Sequence, residues 1–122
     1  MKFKIYSATA KMGGGMLGTL DRWHVVIIAD FLDKDKEPTQ KYSRLMGRVS
    51  RFMQHLMKNE IGVKYELYSI APTLWDRTNG LSLPNGNYWY GDFYVLFKDN
   101  TDEQISYMMY WLTTCKDREF EI

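Results

Sequence analysis

One segment of the sequence has the glycine spacing of a phosphate-binding loop. Gly13, Gly15 and Gly18 match G-x-G-x-x-G, and Gly13 with Gly18 also matches the first half of G-x-x-x-x-G-K-[ST]. In both motifs the loop leads into a helix whose backbone N–H groups bind phosphate. Here Thr19 replaces the lysine of the second motif, and a strand-like run begins at Arg22. We therefore predict a hairpin connection, with a glycine-rich flap over a ligand as the alternative.

A group of carboxylates follows that strand-like run: Asp30, Asp33, Asp35 and Glu37. Carboxylates at the end of a strand can bind Mg²⁺ for phosphodiester chemistry, so a metal-dependent nuclease that uses Asp30 and Asp33 is one alternative. Lysines alternate with the last three acids, which is typical of a solvated turn. We expect neither a bound metal nor a cofactor.

The remaining reactive side chains are two histidines, His24 and His55, and one cysteine, Cys115. They are far apart in sequence and form neither a zinc pattern nor a recognisable triad. The setting of His24 predicts a hydrogen-bonded histidine of a strand, and Cys115 lies far from the helix N-terminus that would activate it. The sequence therefore predicts a protein that is not an enzyme.

The composition fits one globular domain over all 122 residues. A net charge of +1 argues against a protein that wraps duplex DNA. A single cysteine excludes an internal disulfide and fits a cytoplasmic location, and no apolar run is long enough to span a membrane. The 16% of aromatic residues and the 8 methionines must fill a core or cover a partner-binding surface.

Hydrophobic periodicity predicts an α+β fold. The predicted strands are 2–10, 22–31, 63–70, 88–97 and 118–122, and the predicted helices are 39–60 and about 101–115. Thr39 and Gly62 are placed to begin and end the first helix, and Thr101 with Gln104 forms a capping box for the second. We expect a long loop over 71–87, with a small hairpin at an Asn-Gly turn.

Without the first strand, the element order is β-α-β-β-α-β. This order predicts a ferredoxin-like sandwich in which both helices cover one face of an antiparallel sheet, with one extra N-terminal strand.

The first predicted helix carries basic residues along one side. They recur every three or four positions: Lys41, Arg44, Arg48, Arg51, His55 and Lys58. No acid occurs between Thr39 and Asn59. A row of arginines binds phosphates or an acidic protein surface, and an ordinary solvated helix face is the alternative. We expect Arg44, Arg48 and Arg51 to contact a partner.

The second predicted helix is apolar over most of its circumference. Its predicted core face is Ile105, Met108, Met109, Leu112 and Cys115. Tyr107, Tyr110 and Trp111 then lie on other sides, where they are covered by the same chain or bind a partner. We predict the three aromatic residues as partner contacts, with internal cover as the alternative.

The strand before this helix resembles the RNA-recognition motif, whose corresponding strand reads [KR]-G-[FY]-[GA]-[FY]-[VIL]-x-[FY]. Four positions match: Gly91, Tyr94, Val95 and Phe97. Asp92 replaces a stacking aromatic residue of that motif. The resemblance covers one strand and the following helix, and it implies a shared topology with base stacking on Tyr90 and Tyr94.

These features rank three functions. The first is a small accessory or inhibitor protein, of the kind found in viruses and mobile elements, that binds a protein partner through basic and aromatic patches. The second is a domain that binds single-stranded nucleic acid, and the third is the nuclease described above. A homodimer is compatible with all three.

Overall fold

A computed structural model describes residues 1–13, 22–32, 39–72, 79–83, 86–116 and 118–122. Its elements in chain order are β1 (Lys2–Gly13), β2 (Arg22–Phe31), α1 (Thr39–Glu60), β3 (Leu67–Pro72), β4 (Asn79–Leu83), β5 (Gly86–Phe97), α2 (Asp102–Cys115) and β6 (Glu119–Glu121). The predictions for the glycine-rich connection after Gly13 and for Asp33 lie outside the described residues.

The fold is α+β, with one antiparallel sheet in the order β3-β5-β2-β1-β6, and β4 pairs with β5 beyond the end of β3. Both β2 and β3 run antiparallel to β5, so β2, α1 and β3 form a split β-α-β unit. The extra strand β1 lies between β2 and β6. As a result, β6 runs antiparallel to β5, whereas the predicted ferredoxin-like order requires these two strands to be parallel.

Both helices pack on the same face of the sheet, as predicted. Val25 pairs with Phe93 across β2 and β5, and both are fully buried in the cluster that includes Met53 of α1 and Met108 of α2. The closest approach of helix to sheet is at Gly91. A Cβ atom there would lie 2.6 Å from Ser50 Oγ and 2.7 Å from Met46 Cε. Ser50, which the helical pattern placed beside the core face, is itself buried.

The chain between α1 and β3 continues the helical turn instead of forming the predicted strand. The backbone N–H groups of Lys64 and Tyr65 both donate to the carbonyl of Ile61. A Cβ atom on Gly62 would lie 2.2 Å from the carbonyl oxygen of Lys58, so only glycine fits there. The strand therefore begins at Leu67 rather than at residue 63.

Local signals placed the other elements more closely. The capping box of α2 is confirmed, because the Gln104 N–H donates to Thr101 Oγ1 at 3.3 Å and the Thr101 N–H donates to Gln104 Oε1 at 2.8 Å. The hairpin is confirmed as β4 paired with β5, closing on Leu83 and Gly86. The prediction that β2 is buried on both faces is wrong, since its residues alternate between buried and half-buried.

None of the helices in the described ranges is long and apolar enough to cross a lipid bilayer.

Candidate binding surfaces

The outer side of α1 carries the basic stripe, which we define as Arg44, Arg48, Arg51, His55 and Lys58. All five side chains are exposed. Within the described part of the chain, no carboxylate lies within salt-bridge distance of the three arginines. Three unpaired guanidinium groups on one side of a helix provide planar donors for carboxylates or phosphates.

The stripe borders a residue of small volume. A Cβ atom added to Gly47 would lie 3.6 Å from Arg51 Nη1 and would meet no backbone. The surface beside the arginines is therefore shallow enough for a partner to approach the helix closely.

A tyrosine patch, consisting of Tyr65, Tyr107 and Tyr110, covers the junction between the C-terminal end of α1 and α2. The Tyr65 and Tyr107 rings lie 5.4 Å apart, and those of Tyr107 and Tyr110 lie 6.2 Å apart. Lys64 Nζ lies 4.3 Å from the centre of the Tyr107 ring. Tyr110 is 65% exposed, although it is a large aromatic residue. An exposed tyrosine supported by a second one is typical of a protein interface.

The tyrosine patch is held to the helix N-terminus by one polar contact. The Tyr65 hydroxyl donates to Glu103 Oε1 at 2.8 Å. This hydrogen bond, together with the nearby negative charge, raises the pKa of Tyr65 above its ordinary value. The hydroxyl therefore stays protonated and keeps Tyr65 in place beside Tyr107.

Trp111 was predicted as a partner contact, but it is a core residue and only 5% exposed. Its indole N–H donates to Glu60 Oε2, which also accepts from Arg118 Nη1 at 2.9 Å. The hydrogen bond from Arg118 is the main reason that the pKa of Glu60 is lowered. This cluster joins the ends of α1 and α2 to the start of β6, so the prediction is corrected.

The buried side of α2 shows which signal the sequence held. Its buried residues are Gln104, Met108, Trp111, Leu112 and Cys115. Met108, Trp111, Leu112 and Cys115 follow the spacing i, i+3, i+4, i+7, which is itself the helical core pattern. Burial raises the pKa of the Cys115 thiol to about 11, so the thiolate form is disfavoured.

The face of the sheet opposite the helices, here called the second face, holds a polar cluster. His24 Nε2 and Asp92 Oδ2 lie 2.9 Å apart, and the Tyr90 hydroxyl donates to the same oxygen at 2.9 Å. The rings of His24 and Tyr94 are stacked at 4.9 Å. Burial, followed by the hydrogen bond to Asp92, raises the pKa of Tyr90 to about 12.

The histidine prediction is confirmed by this cluster, but its partner was not predicted. His24 and Asp92 are 68 residues apart in sequence and meet only because β2 pairs with β5. Their contact has the composition of a general-base pair. Since the Asp92 oxygen that meets His24 also accepts the Tyr90 hydroxyl, we interpret the cluster as a means of fixing Tyr90 and Tyr94 on the sheet.

The predicted arginine and tyrosine contacts of a nucleic-acid site do not come together. Tyr90 and Tyr94 lie on the second face, whereas the basic stripe lies on the outer side of the helices. Asp30 is half-buried near the end of β2, and Asp33 is outside the described residues. No group of three histidine, cysteine or acidic side chains within the described ranges is arranged to hold a metal ion.

Comparison of the chain with protein-family models, with curated proteins and with solved structures gives no match.

Proposed function

We propose that this protein is a small accessory or inhibitor protein that acts by binding a protein partner through the outer side of its two helices. The single observation that supports this proposal is that both helices cover one face of the sheet. The basic stripe of α1 and the tyrosine patch on α2 therefore face the same way. Exposed arginine and tyrosine side chains are the residue types that contribute most strongly to protein interfaces.

The charge of this surface defines the partner's chemistry. The arginines of the stripe lack carboxylate partners among the described residues, so an acidic surface on the partner would pair with them. Such pairing speeds association and fixes orientation, while the tyrosines supply apolar contact area at little cost in side-chain entropy. We infer a partner that has carboxylates beside an apolar patch.

The test uses affinity capture from the source cell, followed by binding measurements with the recovered protein. We expect capture to resist nuclease treatment, because the partner is a protein. Tyr110→Ala should weaken binding by about tenfold or more, as for a residue at the centre of an interface. Arg48→Glu should weaken binding and reduce its dependence on salt.

Thr113→Ala is the matched control, because Thr113 is exposed on the same helix and lies outside both patches. Its affinity should equal that of the natural chain. Unchanged affinity in both Tyr110→Ala and Arg48→Glu would contradict the helical surface as the binding site. Loss of capture on nuclease treatment would contradict a protein partner.

Binding of single-stranded nucleic acid on the second face is the weaker alternative. Tyr94 and Tyr90 offer rings for base stacking. Asp92 lies between them and repels phosphate, and neither tyrosine is fully exposed. For the fold, we propose a ferredoxin-like sandwich modified by insertion of β1 beside β2.

A further inference from the structure

Strand β1 has an outer edge that is only partly covered. Over residues 2–13, one edge of β1 pairs with β2. On the other edge, β6 covers only Lys2 to Lys4. Within the described ranges, no strand pairs with the outer edge from Ser7 to Gly13. Because alternate residues of a strand direct both their N–H and C=O groups to the same edge, this stretch presents about three residues with unpaired backbone groups.

This edge differs from the edge at the other end of the sheet. There, β3 has a register irregularity between Leu67 and Ser69 and ends at Pro72, which has no N–H donor. Prolines and irregularities are the features by which edge strands avoid pairing with other chains. Between Ser7 and Gly13, β1 has a continuous register with β2 and contains no proline.

The charge of β1 selects the kind of strand that fits beside it. The strand contains three lysines and no acid. Lys2 pairs with Glu119 of β6 at 3.8 Å. Lys4 and Lys11 are exposed, and no carboxylate of the described residues lies within salt-bridge distance of either. A second copy of the chain would bring another strand with only basic charges to the same edge.

We propose that the outer edge of β1 from Ser7 to Gly13 binds an extended acidic peptide segment, which adds as a further antiparallel strand. Backbone hydrogen bonds hold the segment, and its carboxylates pair with Lys11. This site is separate from the helical surface and does not depend on the function proposed for that surface.

The probe is a fluorescent peptide of alternating glutamate and valine, about eight residues long to match the free edge. A second peptide has the same sequence with N-methyl groups on alternate residues, which removes the donors of one edge. A third has lysine in place of glutamate. Fluorescence anisotropy measures binding to the full chain, and amide hydrogen exchange shows where the peptide binds.

We expect the first peptide to bind and to slow amide exchange within residues 7–13. The N-methylated and lysine peptides should bind at least tenfold more weakly. Lys11→Glu should weaken binding by roughly three- to tenfold. Lys116→Glu, an exposed change at the end of α2, should leave binding unchanged.

Two results would overturn the proposal. Equal binding of the N-methylated peptide would show that no strand is added. Protection of residues 7–13 that appears without peptide as protein concentration rises would show that a second copy of the chain occupies the edge.

Discussion

Replacing Gly91 with alanine tests the closest contact between helix and sheet. The added methyl group would lie 2.6 Å from Ser50 Oγ and 2.7 Å from Met46 Cε, both well inside van der Waals distance. Met46 is completely buried, so its side chain has little room to move away. Inserting a methyl group into such a core costs about 1–3 kcal/mol, while the lower entropy of the unfolded alanine chain offsets about 0.4–1 kcal/mol.

The expected net loss is therefore about 0.5–2 kcal/mol in the free energy of unfolding. For a chain of this length, that corresponds to a fall in Tm of roughly 2–10 °C. Urea unfolding followed by circular dichroism measures the free energy, and calorimetry measures Tm. Ser50→Ala should recover part of the loss in the Gly91→Ala background, because it removes the nearest contact atom.

Gly47→Ala is the matched control for the same chemical change. Its Cβ atom would meet only Arg51 Nη1, at the ordinary contact distance of 3.6 Å. Since alanine is favoured over glycine within a helix by about 0.5–1 kcal/mol, this variant should be more stable than the natural chain. If Gly91→Ala were as stable as Gly47→Ala, the close packing of α1 on β5 would be refuted.

Two further predictions concern ionisation. The pKa of Glu60 is lowered chiefly by its hydrogen bond from Arg118, so the stabilisation is present above pH 4.5 and is lost as the pH falls through the folded-state value. Glu60→Gln should flatten the acid limb of stability measured by urea unfolding, at a cost of about 1 kcal/mol or less at neutral pH, and an unchanged acid limb would contradict it. The pKa of Tyr90 is raised to about 12, so its contribution to stability is lost as the pH rises from 10 towards 12. Asp92→Asn should move one tyrosine to an earlier ionisation in an ultraviolet titration of phenolate, and a superimposable titration curve would show that Asp92 has no such effect.

The helices and their ends could be predicted because the signals are local. The capping box of Thr101 and Gln104 lies within four consecutive residues, and Gly62 ends α1 through contact with the carbonyl of Lys58. The position of β1 could not be predicted in the same way. Its alternation shows that it is a strand, but the residue pairs that place it between β2 and β6 join opposite ends of the chain, such as Phe3 with Phe120.

The candidate surfaces were predicted unevenly for the same reason. The exposure of Arg44, Arg48 and Arg51 follows from helical periodicity alone. Trp111 was misplaced because its hydrogen bond with Glu60 links two helices that are distant in sequence, and a buried tryptophan needs such a partner for its N–H group.

The insertion of β1 links the departure in strand order to the free edge of the sheet. In the ferredoxin-like order, the last strand would pair directly with β2. Here β1 takes that position with 12 residues, while β6 has only 3 and pairs with the beginning of β1. The remainder of the long strand therefore extends past its short neighbour, and its backbone groups have no strand partner in the described sheet. A variant that lengthened β6 along β1 would occupy this edge from within the chain. We therefore expect such a variant to lose the acidic peptide while keeping its helical surface unchanged.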